Sequence, residues 1–172
     1  ADAWQAGGQG TRGQGFMLGH APNFTVEECI VIGNGWQNGG QPRSTEAHNF
    51  YTYAVMDNLT IRDCIVANGS FLGISANGNN GTFTGNLCVG NVVGIGARPQ
   101  NCAVENNVVT ECAWPGAGWD TQGIDSRTLW AGSHTELNLP GPITIRNNLV
   151  SNNPGVAGSG NGAIQYNSSN PG

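Results

Sequence analysis

The chain has 172 residues, a formal net charge of −5, 10% charged residues, 38% hydrophobic residues and 28 Gly. It contains no Lys, its six basic residues are all Arg, and 22 Asn supply much of its polarity. That balance excludes the clustered basic face of a nucleic-acid binder or of a protein held to anionic lipid. No apolar run approaches the roughly 20 residues of a spanning helix.

The length predicts a single domain, 1–172, large enough to bury a core, and the regular Val/Ile spacing excludes disorder. The start at Ala1-Asp2-Ala3-Trp4, without Met or an apolar leader, reads as a processed chain or a fragment. Along the chain, five eight-residue segments then align without gaps: 24–31, 59–66, 81–88, 102–109 and 143–150. Their third positions are Val26, Ile61, Phe83, Val104 and Ile145, separated by steps of 35, 22, 21 and 41 residues. Two units therefore have a bare period, and two carry insertions, at about 34–47 and about 113–142. A second column, Phe50, Ile74, Ile95, Ile124 and Ile164, marks a further short strand in each unit. Short strands separated by Asn/Gly turns, with no helical apolar period, exclude helix bundles and βαβ units. One such unit cannot bury its apolar edge alone, so successive units must stack into a parallel solenoid.

Thr-[Val/Ile/Phe]-x-x-Asn-[Leu/Val], followed by an Asn/Gly turn and Gly-Ile, resembles the right-handed parallel β-helix repeat of the pectin-lyase-like superfamily. The resemblance covers about residues 15 to 167. It implies an all-β fold, a right-handed parallel β-helix of about five to six coils with two long loop insertions. The sixth repeat position, occupied by Cys29, Cys64, Asn86, Asn107 and Asn148, is similar to the internal ladder that stacked Asn side chains form in that family. Cys29 and Cys64 are then either bonded or merely stacked. Five cysteines leave at least one unpaired, none has metal-site spacing, and no metal site is expected. The glycosylation patterns at Asn23, Asn58, Asn68, Asn80 and Asn167 arise from composition.

Strand alternation predicts an outward row of Tyr51, Ser75, Gly96, Asp125 and Gln165, with Tyr53, Asn77, Arg98, Arg127 and Asn167 two residues further along. The insertions are expected to wall this trough. The first brings Trp36, Arg43 and Glu46 and leads into His48; the second brings Trp114, Trp119, Asp120, Trp130, His134 and Glu136. Four of the five Trp lie in the insertions. Aromatic rings stack on sugar rings and arginine forks hold carboxylates, so the predicted partner is an extended polysaccharide. Tyr53, Asn77, Arg98, Trp114, Trp119, Asp120, Trp130 and His134 are the expected substrate-binding residues.

If the chain cleaves its ligand, His48, Tyr51, Asp125 and Arg127 are the catalytic candidates. Hydrolysis needs two carboxyls, whereas elimination needs a cation to neutralise a uronate and a base to remove its α-proton. No cofactor is expected. Calcium would need clustered carboxylates, and only Asp120 with Asp125 hints at such a pair. The expected location is extracellular, or a cell or virion surface. The rival expectation is a non-enzymatic tailspike, adhesin or surface-assembly segment that forms a homo-oligomer or larger assembly through the ends of the helix.

Overall fold

Three short strands recur in each coil because each needs only one inward residue to build a continuous core. The computed structural model describes residues 14–19, 21–35, 48–52, 56–76, 78–97, 101–112, 122–125, 143–153 and 164–165. The first coil comprises β1 (Phe16–Leu18), β2 (Thr25–Glu27) and β3 (Ile30–Ile32), and the second β4 (Phe50–Thr52), β5 (Thr60–Arg62) and β6 (Ile65–Ala67). The third comprises β7 (Leu72–Ala76), β8 (Thr82–Thr84) and β9 (Leu87–Val89), and the fourth β10 (Val93–Ala97), β11 (Cys102–Glu105) and β12 (Val108–Thr110). The fifth comprises β13 (Gln122–Asp125), β14 (Ile143–Arg146) and β15 (Leu149–Ser151), and β16 (Ile164–Gln165) opens a sixth.

All pairing is parallel and between adjacent coils. Sheet A runs β1-β4-β7-β10-β13-β16, sheet B β2-β5-β8-β11-β14 and sheet C β3-β6-β9-β12-β15. The register stacks like on like. Phe16, Phe50, Ile74, Ile95, Ile124 and Ile164 form one file. Val26, Ile61, Phe83, Val104 and Ile145 form the second. Val31, Val66, Cys88, Val109 and Val150 form the third. The buried members of all three files share one core cluster, and Phe16 stacks on Phe50 at 4.9 Å. The expected all-β solenoid and its anchor column are thus borne out.

Each described bend carries a residue in the left-handed conformation. Between sheets A and B this residue is Asn23, Asn58, Asn80 or Asn101; between B and C it is Glu28, Asp63, Gly85, Asn106 or Asn147. Between C and A it is Gly33, Asn68, Gly90, Glu111 or Asn152. Asn and Gly populate this region at low cost, which explains their abundance here. Asp63 shares that tolerance, whereas Glu28 and Glu111 adopt it without the advantage; Glu28 N–H bonds Arg62 C=O at 3.2 Å and Asp63 N–H bonds Thr84 C=O at 3.1 Å on the adjacent coils.

The residue after the bend turns inward, and there the ladders form. Asn107 Nδ2 donates to Phe83 C=O (2.9 Å) and to Asn148 Oδ1 (3.0 Å), while its Oδ1 accepts from Asn86 N–H (2.9 Å) and Asn86 Nδ2 (3.0 Å). Asn86 Nδ2 repeats the pattern on Ile61 C=O (2.9 Å), and its Oδ1 accepts Cys64 N–H (3.1 Å). Cys29 and Cys64 are free thiols stacked at the ladder's end. The sequence pattern missed a second ladder at the C–A corner, in the column Asn34, Gly69, Asn91, Cys112 and Asn153. Gly69 lacks a side chain there, and Asn49 fills the space. Asn49 accepts from Asn34 Nδ2 (2.8 Å) and donates to Ala67 C=O (3.0 Å) and Asn91 Oδ1 (3.0 Å). A Cβ on Gly69 would meet Asn49 Nδ2 at 2.8 Å and Asn91 Oδ1 at 2.9 Å. A third, exposed ladder links Asn23, Asn58, Asn80 and Asn101 at 2.8 to 3.3 Å. Asn58 and Asn80, both in glycosylation-type patterns, therefore use their amide nitrogens within the fold.

Removing one buried ladder amide orphans polar groups on two neighbouring coils. Asn107→Ala is expected to lower unfolding free energy by about 3 kcal/mol or more in urea titrations, and Asn101→Ala, on the exposed ladder, by under about 1 kcal/mol.

Candidate functional site

Connection lengths single out one face of the solenoid. Every described B-to-C corner has two residues. The C-to-A connections have 17, 4, 3, 11 and 12 residues, and the A-to-B connections 6, 7, 5, 4 and 17. All the long connections therefore border sheet A. The second insertion is divided by β13, so one part of it precedes that strand of sheet A in the sequence and the other follows it.

The expected outward row of sheet A exists in register: Met17, Tyr51, Ser75, Gly96, Asp125 and Gln165 are successive Cα partners. It is not an open trough in its central coils. Tyr51 is 8% exposed, His48 and Ser75 are fully buried, and Gly96 is buried as well. Ile95 points into the core, so the missing side chain of Gly96 points outward, and a Cβ there would overlap Leu72 Cδ2. Leu72 thus lies over the outer surface of sheet A. With Phe71, Val92 and Val93 it forms a small apolar cluster separate from the main core. The His48 ring stacks on Tyr51 at 4.9 Å and 18° and packs against Phe71 at 5.4 Å. The central coils are covered because the short corners of coils three and four carry apolar residues that fold over the sheet.

His48 and Tyr51 are therefore brought together, but beneath the surface. Their positions suit a floor rather than groups that touch a polymer. Ser75 Oγ is buried between Tyr51 and Gly96 and has no hydrogen-bond partner, an arrangement that costs about 1–3 kcal/mol. Asp125 takes its register place beside Gly96 and Gln165. Tyr53, Asn77, Arg98, Arg127, Trp114, Trp119, Asp120, Trp130 and His134 lie outside the described residues, as do Trp36, Arg43, Glu46 and Glu136.

The thiols have no reactive setting. Burial pushes Cys102 and Cys112 up to about 12 and raises Cys64 and Cys88 as well. Among the described residues, no group of three His, Cys, Asp or Glu is placed to hold a metal ion, and no helix is long and apolar enough to cross a membrane.

Three in-register parallel sheets wound by one chain define a β-helix. The sequence profile of the right-handed β-helix region matches residues 8–171. The chain belongs to this family. Comparison of the β-helix with the curated proteins and with the solved structures finds no significant match. Membership sets the fold and leaves function to the site, since unrelated activities share one scaffold.

Two outcomes follow from the burial of these groups. Ser75→Ala should leave thermal stability unchanged or raise it by up to about 1 kcal/mol, because the hydroxyl it removes makes no bond. The buried thiols stay protonated in the folded chain, whereas an unfolded chain ionises them above about pH 8.5. Their contribution to stability is full below that pH and falls by about 1.4 kcal/mol per thiol per pH unit as the pH rises towards 12. Denaturation midpoints measured from pH 7 to 11 should fall accordingly, and less steeply in Cys102→Ala.

Proposed function

We propose that this β-helix is an extracellular polysaccharide-binding domain whose ligand lies along sheet A. One observation carries the reading: the chain lengthens its connections only at the two edges of that sheet. Loops on a rigid scaffold are where recognition residues collect. These loops hold four of the five Trp, together with Asp120 and His134. Arg98 and Arg127 follow Gly96 and Asp125, which are Cα partners on neighbouring strands, by two residues in the sequence. A sugar chain stacked on loop aromatics and held by arginine forks matches that composition.

Within this reading, Tyr53, Asn77, Arg98, Trp114, Trp119 and Trp130 contact the ligand, and His48 and Tyr51 support the floor. If the bound chain is cleaved, Asp125 supplies a carboxyl and Arg127 the cation that neutralises a uronate. No cofactor is assigned. The alternative, a non-enzymatic structural or adhesive segment, draws its support from the exposed aliphatic residues of sheet C, Ile30, Ile65 and Leu149.

Screening against a glycan array should reveal a polysaccharide ligand. Arg127→Ala and Asp125→Ala should each weaken its binding at least about tenfold while the β-type far-UV spectrum is retained. Growth of absorbance at 235 nm would identify elimination, new reducing ends alone would identify hydrolysis, and binding with neither would identify recognition only. Unchanged binding in both variants would remove sheet A as the site. Silence across the array with an intact fold would transfer the reading to the structural alternative.

A further inference from the structure

Sheet C presents an aliphatic face to solvent. Ile30, Ile65, Leu87, Val108 and Leu149 form one outward register row, and Ile32, Ala67, Val89, Thr110 and Ser151 form the next. Ile30 and Leu149, at opposite ends of the first row, are 66% and 60% exposed. Neither row contains a charged residue. The outward rows of sheet B are instead Thr-rich and charged, with Arg62 paired to Glu27 and Arg146 paired to Glu105 at 2.8 Å. The bends beside sheet C supply a polar rim: Glu28, Asp63, Gly85, Asn106 and Asn147 on one side, Gly33, Asn68, Gly90, Glu111 and Asn152 on the other. An apolar centre inside a polar rim is the composition of an interaction surface.

We propose that sheet C packs face to face on sheet C of a second copy, the two solenoids antiparallel about a two-fold axis that runs along the strands beside Leu87. Such an axis reverses the coil order while keeping each row opposite itself. Ile30 then meets Leu149 of the second copy, Ile65 meets Val108, and Leu87 meets Leu87. The most exposed aliphatic residues of the row thereby cover one another. A parallel two-fold arrangement would instead lay Leu149 on Ser151 and Val108 on Thr110, setting apolar groups against hydroxyls.

The charges point the same way. Each chain carries −5, so an interface that opposed carboxylates would be repelled. In the antiparallel pairing Glu28 faces Asn147, Asp63 faces Asn106 and Glu111 faces Asn68, so no two acids meet. Flat sheets pack in this way about 10 Å apart. Five rungs about 4.8 Å apart, on strands about 10 Å long, offer roughly 200–250 Å² per copy, well below the roughly 800 Å² of a standard interface. The dimer is therefore weak and concentration-dependent. It leaves sheet A of both copies free, so it stands apart from the carbohydrate reading.

Sedimentation velocity on the chain, from about 10 µM to about 1 mM, should show reversible growth from monomer to dimer. Ile30→Lys alone and Leu149→Glu alone should each weaken association at least about tenfold, with an unchanged far-UV spectrum because both positions are exposed. The double variant should recover it, since the opposite charges then face each other across the axis. A monomer at every concentration would overturn the proposal, whether or not some other protein covers the face. So would association that neither single variant weakens, or a double variant as weak as the singles.

Discussion

A solenoid whose strands are three to five residues long must bend at every corner, and each bend strips backbone amides and carbonyls of their in-plane partners. Water cannot reach those on the inner side, and an unpaired buried amide is costly. The inward Asn after each bend resolves this. Its side-chain NH2 donates to a carbonyl in the coil behind and to the oxygen of the next rung, while its own oxygen accepts from the rung behind, so every rung both needs and supplies its neighbour. The register of all three sheets depends on that coupling. A one-residue slip in any coil would break two ladders and turn the core file outward at the same time.

Departures from the repeat are as informative as the rungs. Cys64 takes an Asn place and still receives through its backbone what the ladder offers. Gly69 leaves a rung empty, and Asn49, which is not a repeat position of that ladder, enters it from the preceding connection. The first insertion therefore returns to the solenoid through a residue that the core requires. That tie fixes the start of β4 and places His48 and Tyr51 over sheet A.

The three faces differ because their outward residues are free of the core's demands. Sheet B is Thr-rich and ion-paired, sheet C is aliphatic, and sheet A is partly roofed by Leu72 and Phe71 and bordered by the long connections. One scaffold thus separates a face bordered by the long connections from an apolar face.

The repeat period, the all-β solenoid and two of the three core files were legible in the sequence, since stacked identical coils require one apolar residue per strand at a constant step. The Cys/Asn ladder column was what the family resemblance implied for the sixth repeat position. The second ladder was not legible, because its Gly69 rung is filled by a residue 20 positions earlier in the chain. Alternation also placed Tyr51, Ser75, Gly96 and Asp125 in one row, since side-chain period and register are properties of the strands themselves. Alternation carries no information about what lies above a sheet. Only the tertiary structure decided that His48, Tyr51 and Ser75 are covered, because Leu72 occupies the room left by a glycine on the neighbouring coil.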